Sequence, residues 1–577
     1  MYLTMRDGAE IAIDLFLPKG LEPGTKIPAI VHQTRYWRGL DLRWPFKNVV
    51  GMGPPSLTVF ADTEGFVKQG YAVISVDVRG SGASTGVRRT EMSKDEVEDS
   101  GEILDWIVAQ EWSNGNVGAV GISYNGWSAL MMASLGHPAL KAIIPMHAPF
   151  DGFREMAVVG GVPHYNLVAD WTDICNAMDR GELASRIKGA KLALRGFPLV
   201  EDDPQHRKRA EFCEIHAQNS YFGQYIDDIK YRDDVLEGLD MEIDDLFPIS
   251  VAQKIRASKV AVYSNSGWYD LSGTHAATRH FRNYDEEGRK LIFGAWNHGG
   301  RKLVSPFQPG ISEFDRLGEF VKFFDYHLKG IENGLYDEPR VHYYHLGEEV
   351  WKSADSWPPA GVKMEALYFG SDSTLVPSAP EAADAFDIYH LDTTTYVGMN
   401  SRWELSSRCP SNYDTLLQQV NGLLSYAGPV ANEAIDITGV PELSLWIASP
   451  EPDGACFAYL LDESPEGKLS VMSQGHLRFI HRAEVHEGAP YKDVLPYRSF
   501  STQDTMGMPL DEPAELHFGL TPISWQLKPG HRVRVMLCGS DRTHFSLVGP
   551  QPFNVKLMRS ADYPSRLDLP VLKGDQP

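Results

Sequence analysis

The sequence predicts an α/β protein in which a helical segment interrupts a parallel sheet and an all-β sandwich follows. Three observations support this prediction. Strands and helices alternate through residues 1–148 and again from Lys259, mixed-polarity helical stretches separate these two parts, and short alternating runs follow Gly330. With 577 residues, the chain is long enough for about three domains or subdomains.

Residues 1–148 are predicted to form the first part of the parallel sheet. The predicted inner strands are Ile27 to Thr34, Tyr71 to Asp77 and Asn116 to Val120, and the strand Lys141 to Met146 closes this part. These runs are short and apolar and are separated by helical patterns. Inner strands of a parallel sheet are buried on both faces, which gives this kind of pattern.

Residues 149–250 lose the strand pattern. Helical stretches of mixed polarity replace it, for example Tyr165 to Met178 and Pro204 to Gln218. We interpret this segment as a helical cap inserted over the edge of the sheet. The sheet is predicted to resume in residues 251–335, which end with the helix Ile311 to Leu328.

Residues 336–577 consist of short alternating runs separated by Pro, Gly and Asp. The runs are Arg340 to Leu346, Ala366 to Phe369, Leu443 to Ala448, Cys456 to Asp462, His476 to His481 and Arg532 to Cys538. Such runs predict an antiparallel β-sandwich. Sandwiches also occur in ligand-binding modules such as lectins, so glycan recognition is the non-enzymatic alternative for this part of the chain.

Charge and cysteine content disfavour several classes of protein. Lys and Arg total 54 against 77 Asp and Glu, and the resulting net charge of −23 disfavours nucleic acid or an anionic membrane as partner. The cysteines are odd in number and lack ligand spacing, so we expect no disulfide framework and no zinc site. They are Cys175, Cys213, Cys409, Cys456 and Cys538.

No apolar run is long enough to cross a bilayer and no leader pattern opens the chain, so we expect a cytoplasmic protein.

One turn of the chain places a serine between a short strand and a helix. The turn reads Gly121-Ile122-Ser123-Tyr124-Asn125-Gly126, and the apolar helix Trp127 to Leu135 follows it. This context is that of the nucleophile elbow of the α/β-hydrolase fold. In such an elbow, the backbone N–H of Tyr124 would stabilise the negative charge that develops on the carbonyl oxygen of an acyl substrate.

A second serine has the stricter G-x-S-x-G spelling but lacks the context of an elbow. It is Ser84, in Gly82-Ala83-Ser84-Thr85-Gly86. The next helix begins only near Ser93, which forms a capping box with Glu96. Because no helix N-terminus follows Ser84, the predicted nucleophile is Ser123.

A serine nucleophile needs a histidine to accept its proton and a carboxylate to orient that histidine. In the α/β-hydrolase fold the order along the chain is Ser, acid, His. Asp270 and His298 follow the predicted strands Lys259 to Tyr263 and Lys290 to Phe293. The carboxyl ends of parallel strands meet at one edge of a sheet, so we expect both residues beside Ser123. The alternatives are a helix N-cap for Asp270 and an ordinary loop position for His298.

These motifs resemble those of the cocaine esterase and X-prolyl dipeptidyl peptidase family of serine hydrolases. The matching segments include Met5-Arg6-Asp7-Gly8-Ala9, Arg35-Tyr36, Asp77-Val78-Arg79-Gly80, Trp112-Ser113-Asn114-Gly115, Gly267-Trp268-Tyr269-Asp270, Gly294-Ala295-Trp296-Asn297-His298, Gly530-His531-Arg532 and Tyr563-Pro564-Ser565-Arg566. The spelling G-x-S-Y-x-G around Ser123 is also that of the family. The resemblance implies an α/β-hydrolase fold with an inserted helical cap and a C-terminal jelly-roll domain, and Ser123, Asp270 and His298 as a catalytic triad.

The resemblance also implies a role for Tyr36. In the family, a tyrosine just after an early strand donates its hydroxyl to the oxyanion, and here Tyr36 follows the predicted strand Ile27 to Thr34. The sequence alone would make Tyr36 an aromatic wall residue. We expect no metal and no organic cofactor, a small-molecule ester or amide as substrate, and a homodimer as a hypothesis for the assembly.

Aromatic residues near the motifs are candidates for substrate binding. They are Trp171 in the cap and Trp127, Trp268 and Tyr269 near the catalytic loops. The alternative for each of them is packing in the core.

Two further features bear on the substrate. The acidic stretch from Asp227 to Asp245 could hold an ammonium group, as in related α-amino ester hydrolases, or could be a solvated face. Ser272 stands where the cocaine-cleaving relative has an aromatic residue, so cocaine cleavage is not predicted. We expect an ester hydrolase that works through an acyl-enzyme; the alternatives are an amidase or dipeptidyl peptidase and a non-catalytic binding protein.

Overall fold

The computed structural model describes residues 1–46, 62–200, 207–226, 228–284, 286–300, 302–311, 314–391, 394–403, 413–420, 423–550 and 552–573. Asp227 and Cys409, which entered the sequence analysis, lie outside these residues. Among the described residues, no helix combines the length and the apolar character needed to cross a bilayer.

Two segments of the chain build a large mixed sheet with flanking helices. The first contributes β1 (Tyr2–Thr4), β2 (Glu10–Phe16), β3 (Ile27–Thr34), β4 (Asp41–Leu42), α1 (Thr63–Lys68), β5 (Ala72–Asp77), α2 (Lys94–Val108), β6 (Ser113–Ile122), α3 (Tyr124–Ala133) and β7 (Leu140–Met146). An insertion then contributes β8 (Val158–Val159), β9 (Val162–Pro163), α4 (Tyr165–Asp179), α5 (Leu183–Arg186), α6 (Ala190–Ala193), β10 (Leu194–Gly196), α7 (Arg207–His216), β11 (Val235–Leu236) and β12 (Met241–Glu242). The second segment contributes α8 (Pro248–Ser258), β13 (Ala261–Tyr269), α9 (Gly273–Asn283), β14 (Arg289–Asn297), β15 (Lys302–Leu303), β16 (Gly310–Ile311), α10 (Arg316–Lys329), β17 (Val341–His345) and β18 (Val350–Ala354).

The strands of this sheet lie in the order β1-β2-β5-β3-β6-β7-β13-β14-β17-β18. From β5 to β17 every pairing is parallel. Strands β3, β5 and β13 are buried along their whole length, as expected for inner strands covered on both faces. This is the predicted α/β-hydrolase sheet, and it brings the carboxyl ends of β6, β7, β13 and β14 to one edge.

The boundary predicted between residues 335 and 336 differs from the hydrogen bonding of the sheet. Strands β17 and β18 belong to the α/β-hydrolase sheet, because Leu291 to Phe293 of β14 pair in parallel with Val341 to Tyr343. Helix α10 provides the crossover that a parallel pair requires. The run predicted as the first strand of the sandwich is therefore a strand of the preceding domain.

The insertion contacts the C-terminal domain backbone to backbone. A π-helical turn at Phe153–Ala157 leads into the β8–β9 hairpin, whose turn contains Gly160. Arg478 N–H donates to Gly160 O over 2.8 Å, and a Cβ on Gly160 would meet the carbonyl oxygen of His476. The close approach requires a glycine at this turn.

The C-terminal domain is the predicted antiparallel sandwich. It contains β19 (Val362–Phe369), β20 (Leu375–Val376), β21 (Phe386–Leu391), α11 (Asp414–Leu417), β22 (Leu424–Ala427), β23 (Ile435–Gly439), β24 (Glu442–Ala448), β25 (Ala455–Glu463), β26 (Leu469–Arg478), β27 (Pro513–Gly519), β28 (Ile523–Leu527), β29 (Arg532–Cys538), β30 (Phe553–Met558) and β31 (Arg566–Leu572). One sheet is built around β19, β31, β24 and β30, and the other has the order β22-β29-β25-β26. Side chains such as Trp525 and Tyr459 fill the core of this domain.

Candidate active site

Ser123 lies in the sharp turn between β6 and α3, as the sequence predicts. Its φ of 60° and ψ of −123° are unusual for a residue with a side chain. The Ser123 N–H donates to Met146 O at the end of the neighbouring strand, over 2.9 Å. Helix α3 begins at the next residue, so its first backbone N–H, that of Tyr124, lies beside the serine.

The two glycines of the turn are required by close backbone contacts. A Cβ on Gly121 would lie 2.4 Å from the backbone of Asn125, and one on Gly126 would lie 2.8 Å from Gly121 O. Asn125 instead carries a side chain whose amide lies 2.9 Å from His32 Nε2. The second glycine of the motif is therefore needed at position 126 rather than at 125. This explains why the turn reads G-x-S-Y-x-G instead of the strict G-x-S-x-G.

Ser84 occupies a different environment. Its hydroxyl donates to Asp77 O over 2.7 Å and accepts from Ala12 N–H over 2.9 Å, and the side chain is fully buried. Through these two hydrogen bonds, Ser84 fixes the loop that follows β5. It does not line the cavity that contains Ser123.

Asp270 and His298 lie at the carboxyl ends of β13 and β14, where the sequence places them. His298 Nδ1 lies 2.7 Å from Asp270 Oδ1. The N-cap position of α9 is Ser272, so the alternative role for Asp270 is not observed. Ser123, Asp270 and His298 line one cavity of about 650 Å³, although no hydrogen bond joins Ser123 and His298 among the described residues. Catalytic hydrogen bonds of this kind often form only when substrate is bound.

A second histidine, which the sequence analysis missed, shares the same carboxylate. His147 Nδ1 lies 2.6 Å from Asp270 Oδ2, and His147 lines the same cavity. The signal that identified Asp270 and His298 also applies to this residue, because His147 directly follows the inner strand β7. His147 could therefore have been predicted from the sequence once strand β7 was assigned.

The shared carboxylate stays ionised. Burial of Asp270 opposes ionisation, but the charges and hydrogen bonds of His147 and His298 hold the pKa of this carboxyl well below its usual range. Both oxygens therefore act as acceptors, which requires each histidine to carry its proton on Nδ1.

Tyr36 lies opposite the nucleophile. Its hydroxyl accepts a hydrogen bond of 2.7 Å from Trp171 Nε1. Burial raises the pKa of Tyr36 well above its ordinary value, so the hydroxyl keeps its proton. With Trp171 as donor to its oxygen, Tyr36 can direct its own proton into the cavity.

Most of the cavity wall is apolar. Trp127 stacks on Phe247 with ring centroids 4.4 Å apart, and its Nε1 donates to Leu246 O. Trp127 and Trp171 both line the cavity, as predicted, and the other apolar residues include Met156, Leu167, Val168 and Phe222. Met156, Leu167, Val168, Trp171 and Phe222 come from the insertion.

Two predicted substrate-binding residues lie elsewhere. Trp268 and Tyr269 do not line the cavity, which corrects the prediction for both. They are the last two residues of β13 rather than loop residues. Trp268 Nε1 donates to Tyr344 O of β17 in the same sheet, and Tyr269 OH donates to Val471 O of the C-terminal domain.

Glu155 is the second acidic residue of the cavity. It accepts hydrogen bonds from the backbone N–H groups of Phe150 and Asp151 and from Arg279. Burial raises the pKa of Glu155 to about 7, and the nearby charge of Arg279 opposes this rise. The carboxylate is therefore engaged on both oxygens by the protein itself.

The described residues of the acidic stretch do not line the cavity. Asp244 pairs with Arg232, Asp234 caps the backbone of Tyr231, and Asp233 accepts from Thr502 of the C-terminal domain. These contacts stabilise the insertion and its junction with the sandwich.

In the part of the chain that the structure describes, two clusters have residue types that bind metals. In the first, His147, Asp270 and His298 face one another through the two hydrogen bonds described above. In the second, His345, Glu348 and Asp436 surround Lys352, whose ammonium group binds both carboxylates. In each cluster, the candidate ligand atoms already have partners in the protein.

Comparison with known proteins identifies the family. The model of the X-Pro dipeptidyl-peptidase (S15 family) matches residues 7–300, and that of the X-Pro dipeptidyl-peptidase C-terminal non-catalytic domain matches residues 333–565. The chain belongs to this S15 family. A putative serine esterase of Mycobacterium bovis is 38% identical over 99% of this chain and 95% of its own length.

More distant members share the whole architecture. The cocaine esterase of a Rhodococcus species is 23% identical over 99% of this chain and 98% of its own length. A crystal structure of a CocE/NonD family hydrolase from Staphylococcus aureus has a TM-score of 0.73 at 20% identity, covering 99% of this chain and 93% of that one. This S15 family member is thus a serine hydrolase with the α/β-hydrolase fold and a C-terminal β-domain.

Proposed function

We propose that this chain is a carboxylic ester hydrolase that forms an acyl-enzyme on Ser123. The observation that carries the proposal is the cavity in which Ser123, Asp270, His298 and Tyr36 meet a largely apolar wall. The name of the Mycobacterium bovis relative, a putative serine esterase, supports ester cleavage.

In the proposed reaction, Ser123 Oγ attacks the carbonyl carbon of the ester while His298 accepts the serine proton. The Tyr36 hydroxyl and the Tyr124 N–H donate to the oxyanion of the tetrahedral intermediate. His298 then gives its proton to the leaving alcohol, and water repeats the sequence to release the acid. Asp270 stabilises the imidazolium that forms in both halves.

The state of Glu155 favours a neutral acyl group over an N-terminal dipeptide. Apart from Asp270, Glu155 is the acidic residue among the described lining residues, and Arg279 already neutralises it. A substrate ammonium would thus enter an apolar cavity without a free carboxylate, which costs free energy. We infer that Trp127 and Trp171 contact an apolar or aromatic acyl group.

The nucleophile is tested by intact mass after incubation with a fluorophosphonate, which labels activated serines. We expect one phosphonyl adduct on the wild-type chain and on Ser84→Ala, and none on Ser123→Ala. Ser84→Ala is the matched control because this hydroxyl is buried outside the cavity. An adduct that survives in Ser123→Ala, or none on folded wild type, would overturn the proposal.

The leaving group is tested with a p-nitrophenyl ester and a p-nitroanilide of the same apolar acyl group. We expect a higher kcat/KM for the ester. A higher value for the anilide, or for an X-Pro anilide, would assign amide cleavage to the same nucleophile. The homodimer and the cytoplasmic location stay predictions; light scattering tests the first of them.

A further inference from the structure

Asp270 binds two histidines at once, one through each oxygen. His298 Nδ1 faces Oδ1 at 2.7 Å, and His147 Nδ1 faces Oδ2 at 2.6 Å. Ser266 Oγ adds a second donor to Oδ2, at 3.1 Å. The two imidazole rings lie with centroids 5.6 Å apart and planes at 64°. A catalytic triad needs only one of these two histidines.

We propose that His147 is a positioning residue, which fixes the Asp270 carboxylate so that Oδ1 stays directed at His298. This inference rests on the proposed triad and extends it. His147 acts through Asp270, since its Nδ1–H donates to Oδ2 and leaves Oδ1 for the second histidine. An ionised acceptor strengthens such bonds relative to neutral ones.

The protein holds His147 firmly enough for this role. Its φ is 50°, an uncommon conformation for a residue with a side chain, and its N–H donates to Asn265 O of β13 over 2.8 Å. On the other side, a Cβ on Gly300 would lie 3.0 Å from His147 Nε2. His147 thus connects the ends of β7 and β13 with the turn that follows His298.

The test compares His147→Leu, which removes the donor, with His147→Asn, which keeps an N–H group near the position of Nδ1. Both kcat and KM are measured on the p-nitrophenyl ester. We expect His147→Leu to lower kcat by about tenfold or more, the value of one hydrogen bond to a charged group, with KM unchanged. We expect His147→Asn to restore kcat.

Several outcomes would overturn the positioning role. Wild-type kcat in His147→Leu would do so, and so would equal losses of kcat in both variants, which indicate a purely structural effect. Retention of kcat in His298→Ala would make His147 the base instead. If the leucine variant does not fold, His147→Ala replaces it in the same comparison. Fluorophosphonate labelling of Ser123 in wild type separates failure of this inference from failure of the proposed function.

Discussion

Ser123 has a backbone conformation that costs about 1–3 kcal/mol for a residue with a side chain. Neighbouring contacts offset this cost. The N–H bond to Met146 O fixes the turn to β7, and the missing side chains of Gly121 and Gly126 allow helix α3 to start against the end of β6. The strain directs Oγ away from the sheet and into the cavity.

The first prediction concerns Gly126. A Cβ at this position would lie 2.8 Å from Gly121 O and 3.0 Å from Ala148 Cβ, so Gly126→Ala should displace the turn and abolish fluorophosphonate labelling. Gly310→Ala is the matched control, because a Cβ there meets no atom within 4 Å. Normal labelling of Gly126→Ala would show that the turn tolerates the displacement.

The second prediction concerns the oxyanion donor. Tyr36→Phe should lower kcat on the ester by about a hundredfold or more with little change in KM, because the hydroxyl acts when the oxyanion forms. Tyr165→Phe, on the exposed start of α4, is the matched control and should have wild-type kcat. A rise in KM with unchanged kcat would instead make Tyr36 a residue of the cavity wall.

At the scale of single residues, the sequence analysis identified the positions that follow directly from strand ends. Ser123, Asp270 and His298 were found in this way, and His147 could have been. Trp268 and Tyr269 were misassigned because β13 extends to residue 269, and a strand that is buried along its length directs both side chains into packing.

Helix α4 connects the cavity wall with the core beneath it. Trp171 in its middle donates to Tyr36, and Asp179 at its end is buried between Arg35 and Arg88. Burial opposes ionisation of Asp179, but the two guanidinium groups hold the pKa of this carboxyl below its ordinary value. The same helix therefore positions the proposed oxyanion donor and anchors the insertion.

The third prediction follows from this anchor. Asp179→Asn leaves two buried guanidinium groups without their carboxylate and should lower the free energy of unfolding by about 3–5 kcal/mol. Asp173→Asn is the control on the same helix, since its pair with Arg186 is about half exposed and should contribute about 0–1 kcal/mol. Urea denaturation measures both, and equal values would refute the anchoring role.

At the scale of elements, the buried strands were predictable and their partners were not. Strand β3 was predicted from its short, largely apolar run with the bounds that are observed. The pairing of β17 with β14 depends on a crossover through α10, which the alternating pattern of β17 does not indicate. The acidic stretch likewise depends on distant partners such as Arg232 and Thr502.

The insertion and the sandwich meet around three buried histidines. His164 stacks on Phe545 with centroids 4.6 Å apart, and His476 stacks on Phe457 at 4.4 Å. Burial lowers the pKa of His476 to about 3 and that of His544 to about 4, and it lowers the pKa of His164 well below its ordinary value. All three are neutral in the folded protein at neutral pH.

The fourth prediction is that the molecule loses stability in mild acid. Each of these histidines has a pKa in the folded protein that is below its unfolded value near 6.5. Its contribution to the free energy of unfolding is therefore complete above pH 6.5 and is lost as the pH falls toward the folded pKa. In this range each histidine lowers the free energy of unfolding by about 1.4 kcal/mol for every pH unit. The pH dependence of His517 is reversed, because Glu442 and Glu484 raise its pKa to about 9. Its contribution to the free energy of unfolding is lost as the pH rises through that value.

Denaturant unfolding at pH 7.5, 6 and 5 measures this dependence. His476→Gln should reduce the slope below pH 6.5 by about one proton relative to wild type. An unchanged slope in this variant would mean that His476 does not remain neutral in the folded state.

The contact at Gly160 has a consequence for how such proteins can be recombined. Because the hairpin turn and strand β26 meet through main-chain atoms, the fit between them depends on the backbone of both partners. A chimaera that exchanges only the sandwich between family members would inherit a hairpin shaped for another strand. Exchange of the insertion and the sandwich as one unit would keep this interface matched.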